Sequence, residues 1–527
     1  MDEQTPPQAL ADRTMIDALR QRLQAQTGQP VSLVQTHISW VLLTDQLAYK
    51  LKKPVHLPFV DFSTLALRKH FCEEELRLNR RFAPSLYLGV VPVCGSAQAP
   101  HLHGPGEPID YAVCMRRFAP GALLSERLAA GALLPEHLDG LARRVAAFHQ
   151  DAAIAPPAQT GDARQRVVAP ALGVLQQLRI HCDAARVGGL ESWVRAQAEA
   201  LRDTWPARQL DDRLRDCHGD LHLANAVLLD GEATPFDCLE FDPELRRIDV
   251  MSDIAFLTMD LKANGRSDLA FRFLDAYLQC SGDYAGVAVL RFYEVYRAVV
   301  RALVGCLRPA AKGMPASAAG PDYLACAERI AQGGNAPRLL ITHGVSGSGK
   351  STVAQQLLAA AGAIRLRSDV ERKRLFGLTA LERSIGRAEI YAPDATERTF
   401  ERLAQCTRTA LHAGYPVIVD AAFLRRAERD VFRALAAELR VPFTILHCTA
   451  SDARLQERVA KRSTARDDAS EADLAVLERQ RAHGEPLDGD ERACTLEIMT
   501  DDAVDAVVLC ERWLAQAEAS SRPSPSD

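Results

Sequence analysis

"RLLITHGVSGSGKSTVAQQLLAAAG", residues 338–362, is an apolar run, a glycine-rich loop and a helix-forming segment in direct succession. Gly344, Gly347, Ser348, Gly349, Lys350, Ser351 and Thr352 satisfy GxxxxGK(S/T), with Gly362 as a helix stop. The glycines let successive N–H groups point inward at phosphate oxygens, Lys350 reaches the β/γ oxygens, and the Ser351 hydroxyl can ligate magnesium. The stretch therefore predicts a strand, a phosphate cradle and a helix, with ATP and Mg2+ as ligands.

Downstream, the apolar runs "AIRLRS" (363–368), "PVIVD" (416–420), "PFTILHC" (442–448) and "TLEIM" (495–499) alternate with helical patterns. Short continuous apolar strands between helices imply a parallel sheet covered on both faces. Strand C-termini face the ligand crevice in such a sheet. Asp420, ending "VIVD", is placed to hold magnesium, or else to cap the next helix. Asp369 lies near the γ-phosphate, where it can take a proton from an attacking hydroxyl. Arg372, one helical turn on, can clamp the transferring group. In "RLQERVAKR", Arg454, Arg458 and Lys461 share one helical face, which suits a phosphate-closing lid or a solvated basic face.

A second motif lies far upstream. "CHGDLHLANAVLLD" (217–230) carries Asp220 and Asn225 at the spacing of the protein-kinase HRDxxxxN loop, where the aspartate receives the acceptor's proton and the asparagine turns to the metal. Asp237 in "PFDCLEF" follows at the distance of a second magnesium ligand. His218 is expected to be structural.

At 527 residues the chain exceeds a single core, and 47% apolar with 25% charged residues is ordinary for a globular protein. The net charge of -5 argues against a nucleic-acid binder. Thirteen cysteines without CxxC spacing suggest reduced core thiols rather than a zinc site. The acidic, proline-bearing start lacks a secretory pattern, and the apolar stretch 287–306 is interrupted by Arg291, Glu294, Arg297 and Arg301, so a cytoplasmic location without a membrane span is expected. Pro, Gly, Ala and Ser concentrate at 309–337, the expected seam. We divide the chain into a helical extension (1–29), a first domain (30–320), a linker (321–337), a P-loop domain (338–515) and a disordered tail (516–527).

The motifs after 338 resemble the small P-loop kinases related to gluconate kinase, the zeta toxins and polynucleotide kinase. That resemblance implies that Asp369 activates a hydroxyl while Arg372 clamps phosphate. The strip at 217–230 resembles the aminoglycoside phosphotransferase and choline kinase family, over roughly 30–310, and implies a bilobal kinase-like fold. By that resemblance Lys50 in "AYKLKKPV" pairs with the α/β phosphates, with Lys52 as rival. Its partner is Glu75, with Glu73 and Glu74 as rivals, Met115 lies at the hinge beside adenine, and Asp253 is structural. No glycine-rich loop precedes Lys50, which leaves Thr36, Ser39 or backbone groups to cover phosphate. Glu240, Asp242, Glu244 and Asp249 are expected mainly as solvated or helix-start residues, though a cationic acceptor would also suit them.

The expected architecture is multidomain α+β and α/β, a bilobal protein-kinase-like domain followed by a P-loop domain with a parallel β-sheet between helices. The expected function is a bifunctional phosphotransferase with separate Mg-ATP sites acting on a small-molecule hydroxyl. One alternative is a P-loop kinase regulated by a non-catalytic sensor domain. Another is a nucleic-acid end kinase, suggested by Arg365, Arg367, Arg372, Lys373, Arg374 and by Arg425, Arg426 and Arg429.

Overall fold

The computed structural model describes residues 7–57, 60–156, 163–307, 320–383, 388–465 and 468–520. Residues 309–319 of the expected seam and 521–527 of the expected tail lie outside them. The chain separates into two compact units, one built from residues 1–144, 151–156 and 212–253, the other from 145–150, 157–211 and 254–527.

In the first unit a six-stranded antiparallel sheet is formed by β1 (Ser32–Gln35), β2 (Ser39–Leu43), β3 (Leu47–Lys52), β4 (Tyr87–Ser96), β5 (Ala99–Leu102) and β6 (Pro108–Arg116), in the order β1-β2-β3-β6-β4-β5. Successive strand residues face opposite ways. In β3 this sends Tyr49 and Leu51 into a core shared with Trp40, Leu42, Val93 and Ala112. Met15, Ile16, Leu19 and Leu23 of α1 (Pro7–Thr27) close that core. Lys50 and Lys52 are left on the other face. There they meet α2 (Leu65–Asn79), whose first turn is capped by the Thr64 hydroxyl accepting from the Leu67 N–H at 3.2 Å. A hairpin of β7 (Ala226–Leu229) and β8 (Glu232–Pro235) follows the HGD strip.

In the second unit, β9 (Leu339–His343), β10 (Ile364–Arg367), β11 (Val417–Asp420), β12 (Phe443–Thr449) and β13 (Thr495–Met499) form an all-parallel sheet in the order β10-β11-β9-β12-β13. All five strands lie within a residue or two of the runs read from the sequence. Leu340, Ile418 and Leu446 of the sheet pack with Val353 and Leu357 of α4 (Lys350–Ala361) and with Trp513. This unit also contains α3 (Ser267–Ser281), α5 (Ser368–Leu375), α6 (Pro393–His412) and α7 (Asp452–Ala465). A helix at Tyr323–Gln332 occupies most of the expected linker, and the final helix runs from Ala506 to Ser520.

The stretch 287–306 forms a helix in which Glu294 and Arg297 are buried. Among the described residues no helix is long and apolar enough to cross a membrane.

Candidate active sites

In the first unit the HGD strip is held by its backbone. Gly219 has φ +86°, and a Cβ there would stand 3.1 Å from the Leu245 carbonyl oxygen, so glycine is required. The N–H groups of His218 and Gly219 donate to the two oxygens of buried Asp253, at 3.0 and 2.9 Å. His218 Nε2 lies 2.9 Å from the Phe236 carbonyl, and burial pushes the pKa of its ring down. His218 and Asp253 thus hold the loop.

Asp220 is left half-exposed, and the Asn225 Nδ2 group donates to its carboxylate at 2.9 Å and to its carbonyl at 3.0 Å. His222 Nε2 stands 3.5 Å from the same carboxylate. The Phe236 N–H donates to the Asn225 carbonyl at 3.0 Å, which brings Asp237 beside the strip. Asp237 takes φ +61°, and its N–H donates to the Tyr87 hydroxyl at 3.1 Å.

Both candidate lysines reach Glu75. Lys50 Nζ pairs with Glu75 Oε1 at 2.9 Å and with Asp237, while Lys52 Nζ pairs with Glu75 Oε2 at 2.5 Å and with Glu240. Burial opposes the charge on Lys50, but Asp237 and Glu75 overrule it and hold its pKa well above the ordinary lysine value. Burial likewise opposes ionisation of Glu75, and the two ammonium groups hold its pKa below the usual carboxylate range.

Glu74 pairs with Arg77 at 2.8 Å and Glu73 with Lys69 at 3.7 Å, so neither competes with Glu75. Glu240 is buried on Lys52 rather than solvated, and burial pushes its pKa up. Asp242 and Asp249 are helix-start groups, accepting from the Glu244 and Met251 N–H groups at 2.9 Å each, and Glu244 pairs with Arg247. The Thr36 hydroxyl closes the β1–β2 turn by accepting from the Ser39 N–H at 2.9 Å, and the Ser39 side chain is buried. Met115 is buried near the end of β6, opposite Ala48 and Tyr87.

In the second unit the loop between β9 and α4 is shaped by neighbours that forbid side chains. Gly344 has φ +141°, and a Cβ there would lie 2.4 Å from the Cys448 carbonyl oxygen. Lys350 folds over the loop and donates to the Val345 carbonyl at 2.7 Å. Burial lowers its pKa, which Asp420 partly offsets. The Ser351 hydroxyl donates to Asp420 Oδ1 at 3.1 Å. Asp420 Oδ2 is buried without a hydrogen bond, although the Arg367 and Arg365 guanidinium groups lie 3.5 and 3.7 Å away. An orphaned carboxylate oxygen beside a serine hydroxyl fits a divalent cation, which Ser351 and Asp420 would hold.

A cleft of about 1310 Å3 opens over the loop, with Gly347, Gly349, Ser351, Thr352, Asp369, Arg372, Arg458, Lys461 and Arg462 on its walls. Ser348 is buried beneath the loop. Asp369 and Arg372 open α5, and Arg372 Nη1 donates to the Ile390 carbonyl and the Thr396 hydroxyl at 3.1 and 3.0 Å, tying it to the start of α6. Arg458 donates to the Gly347 carbonyl at 3.2 Å and to the Thr500 hydroxyl at 2.8 Å. Arg454 departs from the expected lid face, since it is exposed and pairs with Glu457.

Sequence reading missed Asn79, Tyr87, Gln480 and Thr500. The Cys238 N–H donates to Asn79 Oδ1 at 2.8 Å, and the Ser346 N–H to Gln480 Oε1 at 2.7 Å. No local motif marks these residues, because each reaches its site from a distant element.

Residues 339–487 match the model of the AAA domain family. Over 469 residues the chain is 32% identical to uncharacterized protein Rv2004c of Mycobacterium tuberculosis strain H37Rv, covering 86% of this chain and 91% of that protein. The chain belongs to the same family as this mycobacterial protein. Uncharacterized protein Mb2027c of Mycobacterium bovis is similar to the same extent. Among solved structures, a choline/ethanolamine kinase family protein from Mesorhizobium loti is similar over 60% of this chain and 94% of that one, at 15% identity and TM-score 0.38. A gluconokinase from Sinorhizobium meliloti is similar over 36% of this chain and 95% of that one, at 20% identity and TM-score 0.26.

Proposed function

We propose that the protein is a cytoplasmic, bifunctional ATP-dependent phosphotransferase, with one Mg-ATP site in each unit and a small-molecule hydroxyl as acceptor. The observation that carries this reading is that each unit gathers a lysine, a carboxylate placed for a cation and a second carboxylate that can receive a proton. In the first unit these are Lys50, Asp237 and Asp220, and in the second Lys350, Asp420 and Asp369. Phosphoryl transfer needs little covalent help from a protein, so positioning and charge neutralisation account for most of the catalysis.

The part played by each residue follows from its partners. Asn225 turns the Asp220 carboxylate so that its exposed edge can accept the acceptor's proton. Glu75 presents the ammonium of Lys50 toward the nucleotide phosphates, with Asp237 on the same ammonium. In the second unit the loop amides and Lys350 hold the phosphate tail, and Arg458 covers the loop from above. When bound, magnesium would neutralise phosphate charge beside Asn225 and Asp237 in one unit, and beside Ser351 and Asp420 in the other.

The test follows ATP-dependent phosphate gain across a panel of hydroxyl metabolites. Asp220→Asn is expected to lower one activity by about 10²–10⁴-fold, the usual worth of a general base. Lys350→Ala and Asp369→Asn are expected to abolish the other. Retention of both activities in an Asp220→Asn/Asp369→Asn protein would refute the reading.

The closed β1–β2 turn favours a second reading, in which the first unit senses a ligand and regulates the P-loop kinase. Acceptor phosphorylation that persists unchanged in an Asp220→Asn protein supports that alternative. A nucleic-acid role draws little support, because Arg365, Lys373 and Arg429 are buried on Asp275, Glu471 and Glu491, and Arg426 pairs with Asp488.

A further inference from the structure

A helix from outside the matched AAA domain packs behind the P-loop site. α3 ends some 58 residues before β9 begins, yet it packs on β10 and on α4, with Phe271 against Gly362. Arg365 of β10 points from the sheet into this contact and is buried. Its Nε and Nη2 donate to the two oxygens of Asp275 on α3, at 3.2 and 2.7 Å. The remaining nitrogen, Nη1, donates to the carbonyl of Ser351 at 2.9 Å. That same Nη1 lies 3.7 Å from Asp420 Oδ2, the oxygen without a hydrogen bond.

The arrangement poses a competition. A buried guanidinium beside an orphaned carboxylate gains most by forming a two-pronged ion pair with it. Such a pair would occupy the oxygen that a divalent cation needs. Asp275 removes the incentive by taking two of the three nitrogens and balancing the charge, and Gln279 Nε2 supports it by donating to Asp275 at 2.7 Å. The second guanidinium near Asp420 is restrained in the same manner, with Arg367 donating to Asp468 at 2.8 Å and to Gln279 at 3.4 Å. Further contacts fix the end of α3, since Arg374 donates to the carbonyls of Gln279 and Cys280 and the Tyr284 hydroxyl to the carbonyl of Arg365.

We infer that Asp275 is a positioning residue of the P-loop site. It keeps Arg365 off Asp420, so that the carboxylate stays open to a divalent cation. The inference rests on reading this site as one for a magnesium-bound nucleotide. It goes beyond that reading by assigning part of the cation site to a helix outside the P-loop module.

The test is calorimetric titration of the full-length protein with ADP, once in excess Mg2+ and once in EDTA. Asp275→Asn is expected to weaken ADP binding in Mg2+ by roughly 10–100-fold, the usual cost of losing a residue that orients a metal ligand, while binding in EDTA holds within about twofold. Asp275→Asn/Arg365→Gln removes the competing guanidinium and is expected to return the Mg2+ value to within about threefold of wild type. Equal weakening in Mg2+ and EDTA, unchanged Mg2+ binding in Asp275→Asn, or no recovery in the double variant would each overturn the inference. Should the single variant fail to fold by circular dichroism, the double variant, which leaves no unpaired charge, decides alone: near-wild-type binding in Mg2+ supports the inference, and a tenfold loss overturns it. If wild-type protein shows no Mg2+-dependent ADP binding that Lys350→Ala abolishes, the reading of the P-loop site fails instead.

Discussion

Glu75 is fully buried and shares its two oxygens between two lysines, a placement that only a closed ion-pair network makes tolerable. Asp237 and Glu240 complete it on the far side of each ammonium. Glu75→Gln is expected to destabilise the protein by about 3 kcal/mol, the low end for breaking a buried pair because each lysine keeps one acid. Urea denaturation followed by fluorescence checks this. The pH dependence follows from the depressed pKa of Glu75. Its contribution is complete above the range where glutamates titrate in unfolded chains, roughly pH 4.3, and is lost as pH falls toward the lower folded value. The urea midpoint of wild type is therefore expected to fall on going from pH 5 to pH 3 by more than that of Glu75→Gln, and equal falls would contradict the assignment. The resemblance pointed to Lys50 and Glu75, with Lys52, Glu73 and Glu74 as rivals. The sequence could not exclude the rivals, because the choice depends on which helical face meets the strand.

Among the elements, the loop from β9 to α4 is legible in the sequence, since its glycines and flanking pattern are local properties of the chain. Gly344 shows why glycine is needed there, with φ +141° and the Cys448 carbonyl where a side chain would begin. Gly344→Ala is expected to weaken Mg-ADP binding at least tenfold, a loss of about 1.4 kcal/mol or more, with an unchanged far-ultraviolet circular dichroism spectrum. Calorimetry measures the first and spectroscopy the second. The β1–β2 turn is the contrary case. Thr36 and Ser39 have the residue types that could meet phosphate, but the Thr36 hydroxyl already accepts within its own turn and Ser39 is buried. Residue type states what a group can do, and the packing and hydrogen bonds around it decide what remains.

For the molecule as a whole, the compact units do not follow the division that motif content suggests. The helices from 254 onward cohere with the P-loop sheet, and Arg365, Arg374 and Arg402 make bonds to α3 or the turn after it. A fragment of residues 338–520 would leave buried Arg365 without Asp275 and the apolar neighbours of Phe271 uncovered. That fragment is expected to unfold at lower urea than the full chain, or to aggregate, as size-exclusion chromatography and denaturation would reveal. A fragment as stable as the intact protein would show that α3 adds nothing to the fold.

The sequence by itself determined the parallel sheet and its five strands, the phosphate cradle, and the presence of an aspartate and asparagine at kinase spacing. These are readable because periodicity, glycine placement and short spacings are written along a few consecutive residues. Only the tertiary structure decided which lysines meet Glu75, that Glu240 is buried, and that Arg365 faces Asp275 and not nucleic acid. Those pairings join residues 23 to 188 positions apart, and the packing of whole elements, which fixes them, leaves no trace in any local stretch.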